Sequence, residues 1–400
     1  MSIFITGATG YLGSYVATLL LEGHKDKLSL LIRAKNKEAA TEKLWRALQL
    51  HMTAEQYYEA LSRIEFVYGD LTSEAPHLGI ADEQYKALVK KTDSIIHIAA
   101  SLNRKSEKTC LNTNLRGTLG VIKLAQDADS KGGLRRFSHV STVAVAGQRD
   151  RETVLEDRAI DWNRSDYDPY ARTKKFCEHM VRELLPNVPK TFFRPSIVMG
   201  DSRRVETTQF DMVRAFCILA DLPAVPMRPD GRLDIVHADF VAGAIAELHQ
   251  RNKTKHEIYH LSAGENSKTG LEIATALAGA TGKRPPMFFA GMEKPFSGLV
   301  DTMMNLPKSN PLFVPASLMK VFLPYVTYDT VFDNTRVCQE LGRTPVPFTE
   351  YCAPLYRWAK GVNYEYPYQP LPSVAKSSSS KSTTKKSKGV SRGSESLELR

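Results

Sequence analysis

Tyr170 and Lys174 stand four residues apart in "YARTK", a spacing that brings both onto one face of a helix. A phenol with an ordinary pKa of about 10 is a poor proton donor to a forming alkoxide at neutral pH unless a nearby cation, here Lys174, lowers it. Upstream, "FSHVSTVAVAG" reads as an apolar strand ending in Ser141 and Thr142, at the carboxyl edge where open α/β sheets bind ligands. A hydroxyl there can hydrogen-bond the carbonyl oxygen that Tyr170 protonates. Taken singly, the Tyr/Lys pair also reads as a surface contact, and the hydroxyl as a partner for a local backbone group.

A third stretch gives these groups something to work with. "TGATGYLG", residues 6–13, lies between the apolar runs 3–5 and 15–21. Gly7, Gly10 and Gly13 let the backbone approach a pyrophosphate, whose charge is stabilised by the free amides at a helix N-terminus. Alone, such a loop is also compatible with a tight turn or close helix–strand packing. Twenty residues past Gly13, after the apolar strand "LSLLI", stands Arg33. That is where dinucleotide folds place an acid for the ribose 2′-hydroxyl of NAD, or an arginine for the 2′-phosphate of NADP. A guanidinium forms bidentate bonds to a phosphate, and Lys35, Lys37 and Lys43 add positive charge nearby, so the expected cofactor is NADP(H).

The elements that must carry these residues follow from periodicity. Short β-branched runs at 2–6, 28–33, 64–68, 94–98, 136–141 and 190–194 read as strands. Amphipathic stretches at 11–22, 36–50, 53–62, 82–91, 105–130 and 168–185 read as helices between them. The alternation predicts a Rossmann-type α/β domain over 1–200, a doubly wound parallel sheet. Residues 201–370 read mainly as a smaller substrate-binding lobe, with 233–265 returning to the core. Within it, 285–330 is rich in Pro, Met and Phe without a clean period and reads as partly irregular. Residues 371–400 read as a disordered Ser/Lys-rich basic tail.

Of the 400 residues, 42% are hydrophobic, enough for a sizeable core, and no apolar run approaches the length of a membrane span. The five cysteines are odd in number and scattered, which suggests reduced thiols, a cytoplasmic setting and no structural metal. The formal charge is +10, but residues 376–400 carry seven Lys/Arg against two Glu, half of that excess. The body is therefore only mildly basic, which argues against nucleic acid as a partner. The tail is expected to be solvated, with peripheral contact to an anionic membrane as the alternative.

With these motifs in order, the sequence resembles the extended short-chain dehydrogenase/reductase superfamily from about residue 3 to residue 265. The resemblance is carried by "TGATGYLG", "GDLT" at 69–72, "IIHIAAS" at 95–101, "NTNLRGT" at 112–118, "HVSTVAVAG" at 139–147, "YARTK" and "FRPSIVMGDS" at 193–202. It is most similar to the thioester reductase and fatty acyl-CoA reductase branch. The resemblance implies that Gly7, Thr9, Gly10, Tyr11, Leu12 and Gly13 line the pyrophosphate, with Arg33 and Lys43 on the 2′-phosphate. It places Asp70 and Leu71 beside adenine, Ala99, Ala100 and Ser101 near the ribose and pyrophosphate, and Pro195 and Ser196 near the nicotinamide. Thr142, Tyr170 and Lys174 are implied as the catalytic triad, with Asn114 supporting a proton relay and Ser141 the alternative hydroxyl.

The implied reaction is NADPH-dependent reduction of a fatty acyl or similar lipid-like thioester to aldehyde or alcohol. Multidomain thioester reductases carry adenylation and carrier domains ahead of this unit, whereas Met1 here directly precedes the first strand. The acyl group is therefore expected on coenzyme A or a separate carrier protein. Arg203, Arg204, Arg228 and Arg232 are expected near the mouth, where they could meet phosphates. The alternatives are a small-molecule substrate (ketone, aldehyde or alcohol), sugar-nucleotide epimerisation or dehydration, and a non-catalytic NADP-binding scaffold or sensor.

Overall fold

The computed structural model describes residues 2–373 except residue 328; most of the predicted basic tail, 374–400, lies outside the described residues. Seven strands form the central sheet: β1 Ser2–Thr6, β2 Lys27–Ile32, β3 Ile64–Tyr68, β4 Thr92–His97, β5 Arg136–Val140, β6 Lys190–Pro195 and β7 Ile258–Leu261. Their spatial order is β3-β2-β1-β4-β5-β6-β7, every pairing parallel. The order of strand addition thus reverses between β1 and β4, and the carboxyl ends of those two strands open the crevice in which such folds bind ligands.

Strand alternation explains the two cores. Ile3 and Ile5 face one side and Phe4 the other, all fully buried. On the first side they meet Val16 and Leu20 of α1 (Tyr11–Gly23), Leu44 of α2 (Lys37–Leu48) and Ile245 of a later helix. On the second, Phe4, Ile95, Phe137 and Phe192 pack on Leu124 of α3 (Gly117–Gly132) and Val181 of α4 (Pro169–Leu184). With helices on both faces, the strands can be apolar throughout, as their sequences are.

Two expectations are corrected. The stretch 105–130 is not one helix: a turn at Glu107–Cys110 passes into a π-helical segment, Leu111–Arg116, before α3 begins. Residues 285–330 are more regular than their sequence suggests. They contain two helices, α7 (Glu293–Met303) and α8 (Phe313–Thr327), once α5 (Asp211–Asp221) and α6 (Ala238–Gln250) have been formed. Val300, Ala316 and Met319 of these helices pack against Ala215 of α5. Their apolar residues are spent on neighbouring helices rather than on a single amphipathic face, which blurs the period.

Candidate active site

The loop after β1 is built to leave its backbone exposed to a ligand. Gly7 has φ +82°, and a Cβ there would lie 2.7 Å from the Ala99 amide nitrogen. A Cβ on Gly13 would lie 2.0 Å from the Gly7 carbonyl oxygen. Gly10 is different: its nearest neighbour to a Cβ is the Gly7 carbonyl at 3.3 Å, so the fold itself nearly tolerates a side chain. Gly10 also caps α1, and no side chain satisfies the helix's first amides, nor does an acid stand in its first turn. A 13-residue helix with bare amides behind a glycine cradle fits a dinucleotide pyrophosphate.

These differences yield a prediction. Gly13→Ala is expected to destabilise the fold by about 1–3 kcal/mol, because backbone rather than a mobile side chain must give way. Gly10→Ala is expected to keep nearly the parental melting temperature yet bind NADPH more weakly. Thermal melts beside a fluorescence titration of NADPH check both, and wild-type affinity in Gly10→Ala would exclude the cradle.

The loop opens on a cavity of about 800 Å³ that reaches Thr142, Tyr170, Lys174, Pro195 and Ser196. Its other end is lined by Thr9, Tyr11, Leu12, Arg33, Lys43, Asp70, Leu71, Ala99 and Ala100. At that end the Arg33 guanidinium is 69% exposed and 3.9 Å from Asp70, while Lys43 Nζ donates to the Arg33 carbonyl at 3.1 Å. Burial and then Arg33's charge lower the Lys43 pKa, with Asp70 opposing them. So Arg33 has an acidic neighbour after all, although it is reached across the sheet edge and not from the Arg33 segment.

At the chemical end, Asp168 starts α4 by accepting from the Ala171 amide at 2.8 Å, with Pro169 in the first turn. This fixes the helix so that Tyr170 and Lys174 share the cavity-facing side. Thr142 lies two residues past β5, donating to the Pro195 carbonyl at 3.5 Å and accepting from the Ala144 amide at 3.2 Å. Its hydroxyl lies beside the Tyr170 phenol. Ser141 also lines the cavity, but its hydroxyl is buried beside Glu178 and lacks a well-aligned hydrogen-bond partner. Of the two adjacent hydroxyls, only Thr142 accompanies the phenol.

Lys174 is fully enclosed. Its Nζ donates to the Val140 carbonyl at 2.6 Å and lies 3.3 Å from His139 Nε2, and burial lowers its pKa. Burial, then the Lys174 charge, hold His139 far below the usual histidine range, so that it is neutral and can accept through Nε2. Tyr170 is likewise buried, which raises its pKa. The cation that counters this is Arg104, whose guanidinium lies 5.3 Å from the Tyr170 ring centroid. Arg104 thus stands by the phenol in addition to Lys174, the cation expected from the sequence.

Asn114 also takes a different place from the one expected. It sits in the π-helical segment, where the altered pitch turns its amide inward. Its Oδ1 accepts from the Ser101 amide at 2.7 Å, and its Nδ2 donates to the Ser101 carbonyl at 3.2 Å and to Thr173 Oγ1 at 3.1 Å. The side chain is thereby committed to bracing the 99–101 segment against α4. Neither Asn114 nor Ser101 lines the cavity.

The four arginines expected at the mouth are not there either. Arg203 and Arg204 pair with Asp201, Arg228 pairs with Asp230, and Arg232 is tied by its amide to Asp329; none lines the cavity. Residues the sequence reading missed are Arg104, Tyr167 and Tyr325, which do line it. No local pattern marks them: Arg104 sits in the polar run "SLNRKSEK" and Tyr325 in the apolar α8.

The family model described as "Male sterility protein", an NAD-binding domain, matches residues 5–245. The nonribosomal peptide synthetase asaC of Aspergillus flavus is 27% identical over 65% of the chain, which covers 26% of that protein. A candidate fatty acyl-CoA reductase of Drosophila melanogaster, CG8303, is 24% identical over 72% of the chain, which covers 60% of it. The chain thus spans only part of the length of these relatives. Among solved structures, the terminal R domain from the myxalamid PKS-NRPS biosynthetic pathway superposes with a TM-score of 0.76, covering 91% of each chain at 22% identity.

Proposed function

The chain belongs to the male sterility protein family of NAD-binding domains, the thioester-reductase branch of the extended short-chain dehydrogenases/reductases, and from that premise we propose that it is an NADPH-dependent reductase of acyl thioesters. The observation that carries the reading is one cavity holding both the glycine cradle and the Thr142–Tyr170–Lys174 group. Bound NADPH would supply a hydride. The chain's own residues do the rest. Thr142 and Tyr170 hold the acceptor's carbonyl oxygen, and Tyr170 Oη gives it a proton as negative charge develops. Lys174 is anchored on the Val140 carbonyl at the cavity floor, beside the phenol's helix turn.

The thioester part of the proposal draws on the Drosophila relative's name, since an acyl-CoA is a thioester. A second, apolar cavity of about 80 Å³ supports a lipid-like acyl group. It is lined by Met199, Phe216, Met227 and Ile273, and shares Ile197 and Met212 with the main cavity. A carbonyl held by Tyr170 can therefore extend an apolar substituent past those two residues. The deciding experiment follows NADPH absorbance with acyl-CoAs of several chain lengths, a free aldehyde and a nucleotide sugar. Consumption with acyl-CoA, and thiol release, are expected; consumption with the aldehyde alone would overturn the thioester assignment.

The preference for NADPH rests on Arg33, whose exposed guanidinium is held only loosely by Asp70. Arg33→Ser is expected to raise the KM for NADPH about 10- to 100-fold, the value of one or two charge-assisted hydrogen bonds. The KM for NADH should scarcely change. Equal loss with both cofactors would assign Arg33 a structural role instead.

A further inference from the structure

Helix α8 lines the cavity with Ser317, Leu318, Val321 and Tyr325. Tyr325, near the end of α8, donates from its hydroxyl to Asp168 Oδ2 at 2.6 Å. The same hydroxyl accepts from Arg104 Nε at 3.3 Å, and Arg104 Nε lies 3.3 Å from Asp168 Oδ2. The guanidinium lies 4.7 Å from the Tyr325 ring centroid and 5.3 Å from that of Tyr170. Tyr167 stacks on the far side of Tyr325, with centroids 4.9 Å apart. Arg104 is thus held between the phenol that donates the proton and a tyrosine from a helix more than two hundred residues further along the chain. From the next residue of the Arg104 segment, Lys105 Nζ donates to Ser317 Oγ of α8 at 2.5 Å.

We propose that Arg104 is a positioning residue for the proton transfer, a cation held over the Tyr170 ring by a bridge that runs through Asp168 to Tyr325 of α8. The inference rests on the reductase reading for its meaning, but its geometry stands without it. Among the described residues, the charged and titratable groups around Tyr170 include Arg104, Cys110 and Asp168, with Lys174 on its own helix and Tyr325 beyond Arg104. Burial raises the phenol's pKa; Arg104 is the largest influence against that, ahead of Thr142, while Asp168 and Cys110 add to the rise. Lys174, one turn along the same helix, directs its Nζ to Val140 and His139. Seating of α8 therefore completes the acid: Tyr325 orders Asp168 and Arg104, and Arg104 makes the phenol a readier donor.

The sign of the test follows. Removing the cation raises the phenol's pKa, so Tyr170 stays protonated to higher pH but gives its proton less readily. In Arg104→Gln the plateau rate should fall, and the alkaline limb of the reduction profile should move up by about one pH unit. Arg104→Lys should restore most of the limb's position. Tyr325→Phe should move it in the same direction by less.

A readout independent of turnover separates failure of this inference from failure of the reductase reading. Tyr170→3-fluorotyrosine carries a more acidic phenol whose ionisation is followed by fluorine NMR, in the otherwise parental chain and in each variant, with circular dichroism to confirm folding. An upward step in Arg104→Gln, absent in Arg104→Lys, is expected. An unmoved step in folded Arg104→Gln would overturn the inference, and an unmoved step in Tyr325→Phe alone would overturn the role of α8. A protein that shows these NMR shifts but never oxidises NADPH would overturn the reductase reading while leaving the inference intact.

Discussion

Tyr170→Phe is expected to lower kcat for NADPH-dependent reduction by about 10²- to 10⁴-fold, the usual contribution of a positioned general acid, while leaving NADPH affinity essentially unchanged. The phenol is buried at the chemical end of the cavity, beside Thr142 and under Arg104. Its hydroxyl faces Thr142 and the cavity, while its ring is packed in the protein. Phenylalanine should therefore fill the site and remove only the proton. Thr142→Val should cost about 10²- to 10³-fold, as loss of one donor to a developing oxyanion does. Ser141→Ala, one residue away, should be nearly silent because that hydroxyl faces Glu178. Steady-state kinetics with an acyl-CoA, paired with NADPH titrations, check all three. A Tyr170→Phe protein as active as the parent would favour a non-catalytic dinucleotide-binding role.

Glu178→Ala is expected to destabilise the fold by about 3–5 kcal/mol. Arg194 Nε and Nη2 donate to the two Glu178 carboxylate oxygens at 2.8 and 2.6 Å, and both side chains are almost completely buried. Arg194 Nη1 also donates to the Glu156 carbonyl at 2.9 Å. Removing the carboxylate would strand a guanidinium in the core. Burial pushes the Glu178 carboxyl up, but the charge and hydrogen bonds of Arg194 outweigh it, and the net shift is downward from 4.5. A carboxyl depressed in the folded state contributes stability above its unfolded pKa, and that contribution is lost as pH falls through the folded value. The difference between parent and Glu178→Ala should therefore be full at neutral pH and shrink as pH falls below about 4.5. Urea titrations at several pH values measure it; a constant difference would mean that packing, and not the ion pair, carries the effect. The pair also matters for the site: Glu178 follows Lys174 by one turn and Arg194 precedes Pro195, so it locks α4 to β6 where the cavity floor is made.

Much of this arrangement is visible in short windows of sequence. The strands and glycine loop are, because a buried parallel strand needs a continuous apolar run and a pyrophosphate cradle needs residues without Cβ. The Tyr170/Lys174 pair is visible because helical periodicity puts i and i+4 on one face wherever the helix goes. The π-helical stretch around Asn114 was not: its residues also suit an ordinary helix, and only the packing of 99–101 on α4 makes the altered pitch worthwhile. The two helices within 285–330 escaped for a related reason, since their apolar residues serve several neighbours at once.

The choice between Ser141 and Thr142 shows the division most sharply. Adjacent strand-end hydroxyls are chemically alike, and alternation requires only that they point to opposite sides. Which side holds Tyr170 and which holds Glu178 depends on how α4 lies across β5 and β6. The identity of the cation over Tyr170 is a matter of the same kind. Lys174 is the local choice, and Arg104, bound to Asp168 and Tyr325 of α8, reaches the ring from a distant segment. By itself, then, the sequence determined the elements, the cradle and the residue types able to move a proton, all of which rest on local backbone geometry and periodicity. Which of those groups meet, which are diverted into bracing, and what charge the phenol feels were decided by the tertiary structure, because electrostatics and hydrogen bonding act through distances between segments that the chain keeps far apart.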